Sequence, residues 1–421
     1  MNMRSPNHGI FIDESDIMNE YEVDEEELPD ADEEGDSGGE EIFDEDDSIH
    51  IFTGHTDMVN TVACSPTDPS LVATGGEDEK GFLWMINRGD WAPLLEGHGD
   101  SISSLSFSPD GQLLASGGLD GVVKVWDIAT GDLRCTLEGP THETEDIKGV
   151  PPGGFQWVRW HPEGHFILAG GSKDSSVWMW NVDRPSFPYV FTGHANRVTC
   201  ADFTPDGRKI CSGSEDATMK IWNPRTSENI HVVIDHESSK RTSSYHNETE
   251  GSNNIEKPKG VTCMAITSDS SLALTGSRDG SVHLVNILTG KVVTSFREHS
   301  ESVECVVFEA SSRRDKWRAA TVGMDGKLII WDSQYPYPWH ICNHEDGITS
   351  LLWLAMGNIA TGSLDGKVRL WNSRSGECVR TLSGHSDAIQ SIAVSSNGDF
   401  LVSVSDDKTS RVFEIAEFNR P

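Results

Sequence analysis

Three short runs decide the fold: Leu113-Leu114-Ala115-Ser116, the turn Asp120-Gly121, and Val122-Val123-Lys124-Val125-Trp126. The same punctuation returns along the whole chain. Eight times an Asp in a short Gly- or Asp-bearing turn is followed six residues later by a bulky apolar residue, and in six of the eight that residue is Trp. The pairs are Asp78 with Trp84, Asp120 with Trp126, Asp174 with Trp180, Asp216 with Trp222, Asp279 with Val285, Asp325 with Trp331, Asp365 with Trp371 and Asp407 with Phe413. Successive Asp positions lie 42, 54, 42, 63, 46, 40 and 42 residues apart. That is a repeat of one four-stranded unit with two insertions.

Between the markers the residues alternate as strands do, for example Ser103-Ser104-Leu105-Ser106-Phe107, with Pro109-Asp110-Gly111 as a further turn. Each copy reads as a small antiparallel sheet. A lone sheet of this kind cannot bury both faces, whereas sheets set radially cover one another and leave only short edges. The expected fold is all-β, a single eight-bladed propeller over residues 48–418. The last copy ends in an inner strand, Ser410 to Ile415, with nothing after it to pair. A strand at about 48–54 is expected to pair there and close the ring.

Upstream of the turns lie Gly54-His55, Gly97-His98, Gly193-His194, Glu298-His299, Asn343-His344 and Gly384-His385. Four residues before the Asp stands a hydroxyl, Thr74, Ser116, Ser212, Thr275, Thr321, Thr361 or Ser403, with Gly170 as the exception. This pattern resembles the WD-repeat family from about Ser48 to Phe418. The resemblance implies that His, hydroxyl, Asp and Trp form one hydrogen-bonded chain across a blade. Five complete sets are present: His55, Thr74, Asp78, Trp84; His98, Ser116, Asp120, Trp126; His194, Ser212, Asp216, Trp222; His299, Thr321, Asp325, Trp331; and His344, Thr361, Asp365, Trp371. Read alone, Ser116, His98 and Asp120 would suit a nucleophilic triad. Equivalent sets recur in several blades, and an enzyme has no use for five copies in phase, so no catalytic site is expected.

Composition points the same way. The eight Cys contain no Cys-x-x-Cys pair, and Cys200 and Cys263 sit inside apolar runs, so reduced core thiols are expected rather than disulfides or zinc ligands. No cofactor or metal site is expected. Residues 1–12 carry no secretory pattern and no run is long enough for a membrane span, so a monomer in the cytoplasm is expected, with the nucleus as a further location. Residues 1–47 hold 20 acids and one Arg, which leaves 48 acids against 32 bases on the propeller. Such a leader repels itself and is expected to be disordered. Phe11, Ile12, Ile17, Met18, Tyr21 and Val23 are interleaved with its acids, which suits a basic, partly apolar ligand. The field argues against a direct nucleic-acid partner.

In WD-repeat geometry the loop with the His and the turn with the Asp share one face, the top, where peptides are bound. Carried over position by position, the residues before each turn Asp are Glu77, Leu119, Lys173, Glu215, Arg278, Met324, Leu364 and Asp406. Flanking positions are Met58 and Asn60, Ser101 and Ser103, Arg197 and Thr199, Ser302 and Glu304, and Ala388 and Gln390, with loop acids Asp57, Asp100, Glu301, Asp346 and Asp387. The rim is expected to be mostly acidic, most of all along blades 8 and 1, and to favour a Lys- and Arg-rich segment. The insertions at 138–154 and 237–258 are expected on the top. The basic run at 313–318 is expected on the opposite face, as a solvated hairpin tip.

The acidic leader, the copies starting at Ile51-Phe52-Thr53-Gly54-His55, the Asp90-Trp91 link and the hydrophilic insertion before the fifth copy resemble the angio-associated migratory cell protein family. Fungal members similar in layout act as chaperones for a basic large-subunit ribosomal protein, while animal members are associated with migration and signalling. The resemblance implies a chaperone of that kind. The alternative is a multivalent scaffold in signalling, cell migration or a ubiquitin-ligase complex.

Overall fold

The structure, a computed structural model, describes residues 45–88, 94–138, 154–171, 174–234 and 260–419. Residues 1–44, nearly all of the first insertion and the whole of 237–258 lie outside the described residues, as does Lys173. Eight four-stranded antiparallel sheets follow one another, seven of them with their strands in chain order. Blade 1 is Val59–Cys64, Leu71–Gly76, Gly81–Met85 and Leu94–Leu95. Blades 2 to 7 span residues 102–137, 157–191, 198–234, 261–296, 303–343 and 348–382. Blade 8 takes Ile389–Val394, Phe400–Ser405 and Ser410–Glu414 from the C-terminal end and His50–Phe52 from the N-terminal end. His50 faces Val412 and Phe52 faces Ser410 in that last pairing. Ser410–Glu414 is thus the third strand of its blade, not an inner one.

The core lies between blades because the second and third strands of each blade bury residues on both faces of the sheet. Trp84, Trp180, Trp222 and Trp331 are wholly enclosed. Glycine in the second strand permits the close approach of the next blade: a Cβ on Gly75, Gly117 or Gly213 would stand 2.5 Å from Ile102, Val158 or Val261. All eight cysteines are free thiols. Burial pushes Cys64 up to about 12 and Cys200 and Cys305 up to about 11, so these thiols stay protonated at neutral pH.

One irregularity shapes the rim. In seven blades the first strand slips register by one residue near its start, skipping Asn60, Ser103, Thr199, Thr262, Glu304, Thr349 and Gln390. Such a bulge re-aims the extra side chain. In blades 2, 4 and 7 it points toward the next blade: Ser103 Oγ donates to Phe155 O at 2.5 Å, Thr199 Oγ1 to Val261 O at 2.6 Å, and Thr349 Oγ1 to Ile389 O at 2.6 Å. The first strand of blade 3 has no such slip, and Trp157 Nε1 supplies the same link to Val198 O at 3.0 Å.

Candidate protein-binding face

The four-residue chains lie beneath the top face and join its loops to the turns. In blade 2, His98 Nδ1 meets Asp120 Oδ2 at 2.9 Å, His98 Nε2 meets Ser116 Oγ at 2.8 Å, and Trp126 Nε1 donates to Ser116 Oγ at 2.9 Å. Blades 1, 4 and 6 repeat it through His55, Thr74, Asp78 and Trp84, through His194, Ser212, Asp216 and Trp222, and through His299, Thr321, Asp325 and Trp331. Each hydroxyl is buried and holds both its neighbours. Burial opposes the ionised Asp, but the hydrogen bonds from His299 and the Ser300 N–H, with the His299 charge, outweigh it and hold Asp325 down to about 2. Asp78, Asp120 and Asp216 are lowered by the same balance. In blade 8, where Phe413 replaces Trp, His385 still links Ser403 and Asp407, each at 2.7 Å.

Blade 7 departs from the expected set. His344 Nε2 meets Thr361 Oγ1 at 3.1 Å, and Trp371 Nε1 donates to Thr361 at 2.9 Å. The His–Asp contact is replaced by a guanidinium: Arg369 Nη1 lies 3.0 Å from His344 Nδ1 and donates to Asp365 Oδ2 at 2.6 Å. Arg369 fits there because it is the residue two before Trp371 on the third strand, with its side chain on the same side. Burial, then the Arg369 charge, pushes the His344 imidazole down to about 3. The described parts of blades 3 and 5 hold other networks, with Trp178 Nε1 on Asp174 Oδ2 at 2.8 Å and His283 Nδ1 on Ser295 Oγ at 2.8 Å.

On this base the rim positions are paired by backbone. The N–H before the turn Asp donates to the carbonyl of the loop ahead of the first strand: Glu77 to Met58, Leu119 to Ser101, Glu215 to Arg197, Arg278 to Gly260, Met324 to Ser302, Leu364 to Gly347 and Asp406 to Ala388, all within 2.8–3.0 Å. Asp100 and Asp387 cap their own loops, accepting from Ser101 N and Ala388 N at 2.7 and 2.8 Å, and stay exposed. Glu77 and Glu301 are exposed, and Glu304 is half-buried. Met58 and Met324 are 39% and 38% exposed, which gives the rim two apolar contacts.

Two parts of the sequence expectation change here. Ser103, Thr199 and Asn60 face the neighbouring blade, so they fasten the ring rather than present a ligand surface; Asn60 Nδ2 lies 3.4 Å from Ile102 O. The rim also is not uniformly acidic. Arg197 pairs with Glu215 at 2.5 Å, and Arg278 of the next blade lies 3.7 Å from the same carboxylate, so blades 4 and 5 carry more positive than negative charge at this point. No spacing in the sequence signals a pair that crosses blades. Between blades 8 and 1, Lys408 lies 3.6 Å from Asp57 and donates to Thr56 O at 3.2 Å. Gln390 Nε2 orients Asp406 by donating to both its oxygens at 3.0 and 2.9 Å. On the opposite face, Arg313 and Lys316 bridge across a tight turn, and Arg318 pairs with Asp332 at 2.8 Å and lies over Trp339 at 4.7 Å.

Eight radial sheets with these hydrogen-bonded chains define a repeat propeller. The chain belongs to the WD domain, G-beta repeat family, whose model matches residues 46–84, 92–127, 136–181, 186–223, 252–286, 290–332, 338–372 and 376–414. Among its relatives, angio-associated migratory cell protein of Homo sapiens is 33% identical over 380 residues, covering 87% of this chain and 80% of that protein. The Canis lupus familiaris protein of the same name is 32% identical over the same length and coverage. Among solved structures, Chaetomium thermophilum Sqt1 bound to the N-terminus of the ribosomal protein L10 superposes with a TM-score of 0.71 at 22% identity, covering 88% of this chain and 100% of that one.

Proposed function

We propose that this propeller is a non-enzymatic binding chaperone that holds a Lys- and Arg-rich segment of a ribosomal protein on its top face. The observation that carries this is the acidic arc of blades 8 and 1. There Asp57, Glu77, Asp387 and Asp406 sit on hydrogen-bonded loops and turns of two neighbouring blades, Lys408 lies 3.6 Å from Asp57, and Met58 adds an apolar contact. Pre-oriented carboxylates on a rigid rim favour a basic partner through charge pairing and faster encounter. The Sqt1 complex supports the class of client, because the same fold there holds the N-terminus of a ribosomal protein.

The test uses the full chain and a labelled peptide of the ribosomal protein L10 N-terminus, with anisotropy read at two salt concentrations. The triple reversal Glu77→Lys, Asp387→Lys, Asp406→Lys should weaken binding by about tenfold or more, and the loss should shrink at high salt. The same reversal at Asp132, Glu228 and Asp315, exposed on the opposite face, should leave affinity nearly unchanged. Equal affinity in both triples overturns the assignment and favours the multivalent scaffold.

A further inference from the structure

On the face opposite that arc, blades 3 and 4 part to leave a groove of about 1000 Å³. Its lips are apolar: Tyr189, on the outermost strand of blade 3, and Ile230, on the outermost strand of blade 4, are 43% and 42% exposed. Buried Phe203 lies between them at the floor. Its end is cationic. Arg208 and Lys209 come from the turn between the first two strands of blade 4, and Arg225 from the turn after the third. Arg208 and Arg225 are exposed and form no ion pair among the described residues, while Lys209 Nζ reaches Ile287 O at 3.4 Å.

Two acids also line the groove, and one of them is committed. Asp206 accepts from Thr204 Oγ1 at 2.6 Å and from the Arg208 N–H at 3.1 Å, which locks it into its own turn. Its charge still acts on Arg208, so Glu163 and Asp206 stand against Arg208, Lys209 and Arg225. In a chain with 68 acids and 33 bases, even this small excess of cations beside an exposed apolar slot is a departure from the general surface. Guanidinium forks match carboxylates in a two-point geometry that a lone ammonium cannot supply. Apolar lips of this size cover one large side chain, and burying it would add the non-ionic part of the affinity. A nucleic-acid strand fits less well: the groove offers two exposed guanidinium groups beside one apolar slot rather than a track of cations along a backbone.

We propose that this groove docks an acidic segment of a partner protein that carries one aromatic or aliphatic anchor residue. The anchor enters between Tyr189 and Ile230 while its flanking carboxylates meet Arg208 and Arg225. This site is separate from the top-face arc and selects the opposite charge, so one propeller would join a basic client to an acidic partner.

The experiment takes the full chain and a short fluorescein-labelled peptide of alternating Asp and Glu with one central Phe. Binding should weaken by about tenfold or more in Arg208→Glu, Arg225→Glu, and again in Tyr189→Ser, Ile230→Ser. Replacing the peptide's Phe by Ser should produce a similar loss on the unaltered protein, a readout that needs no variant to fold. Neither double variant should change affinity for the basic peptide of the top face, which separates this site from that one. No binding by the unaltered chain, an affinity indifferent to Arg208→Glu, Arg225→Glu, or equal binding of an oligothymidylate lost in the same variant would each overturn the proposal.

Discussion

At the scale of single residues the most telling position is Arg369, because it changes what its neighbours contribute. Asp216→Ala in blade 4 would leave the Ala195 N–H without its acceptor and His194 Nδ1 with only Thr218 Oγ1 at 3.2 Å, at a cost of about 1 to 3 kcal/mol. Asp365→Ala in blade 7 removes the carboxylate from a guanidinium that is only 7% exposed, and a buried charge left unpaired costs more, about 3 to 5 kcal/mol. Urea unfolding of the two variants should therefore rank Asp365→Ala as clearly the less stable. The same guanidinium sets a pH response. His344 has a folded pKa of about 3 against 6.5 in a free chain, so the neutral ring is the form the fold favours. Its contribution is complete above pH 6.5 and fades as pH falls toward 3, since the unfolded chain takes up the proton first. Between pH 6.5 and 5, where carboxylates scarcely titrate, the chain should lose about 1 to 2 kcal/mol that His344→Asn does not lose. Stability measured across that window in both proteins checks it. The His, hydroxyl, Asp and Trp of each set were legible because fixed strand lengths put them at fixed spacings. Arg369 was not, since nothing in Val368-Arg369-Leu370-Trp371 says that a long side chain will fold back between His344 and Asp365.

At the scale of the element, the strand His50–Phe52 does more than its length suggests. Phe52 is 2% exposed and stacks on Trp84 of blade 1, with ring centroids 5.0 Å apart and planes 3° from parallel. Arg411 bonds Asp46, and Ser383 N donates to Asp47, so the approach to the strand is fastened as well. Removing residues 1–44 should leave the melting temperature nearly unchanged. Removing 1–54 deletes a buried aromatic worth about 2 to 3 kcal/mol and exposes the edge of Ser410–Glu414, so it should lower melting by several degrees or more. Scanning calorimetry of the two truncations decides between them, and equal stability would mean that the third strand tolerates an open edge. Strand number and order were legible from the alternation of Val, Leu and Ile with polar residues. The bulges were not, because a one-residue slip leaves the pattern of strand and turn intact while turning Ser103 and Thr199 from the rim to the next blade.

At the scale of the molecule, charge is divided by position: acids gather on the leader and along blades 8 and 1, and free cations lie on the far side of blades 3 and 4. The field of the leader's like charges fades over about 8 Å at physiological salt. Removing residues 1–44 should therefore slow association of the basic peptide more than it speeds dissociation, and the difference should vanish as salt rises; stopped-flow measurement at two ionic strengths checks both halves. The pairing of His50–Phe52 with Ser410–Glu414 reaches beyond stability. A ribosome makes the first of these strands early and the second only after seven further blades. Closure therefore waits on synthesis: a chain abandoned before Ser410 lacks the partner strand of His50–Phe52, and only one translated through Glu414 can fasten itself shut.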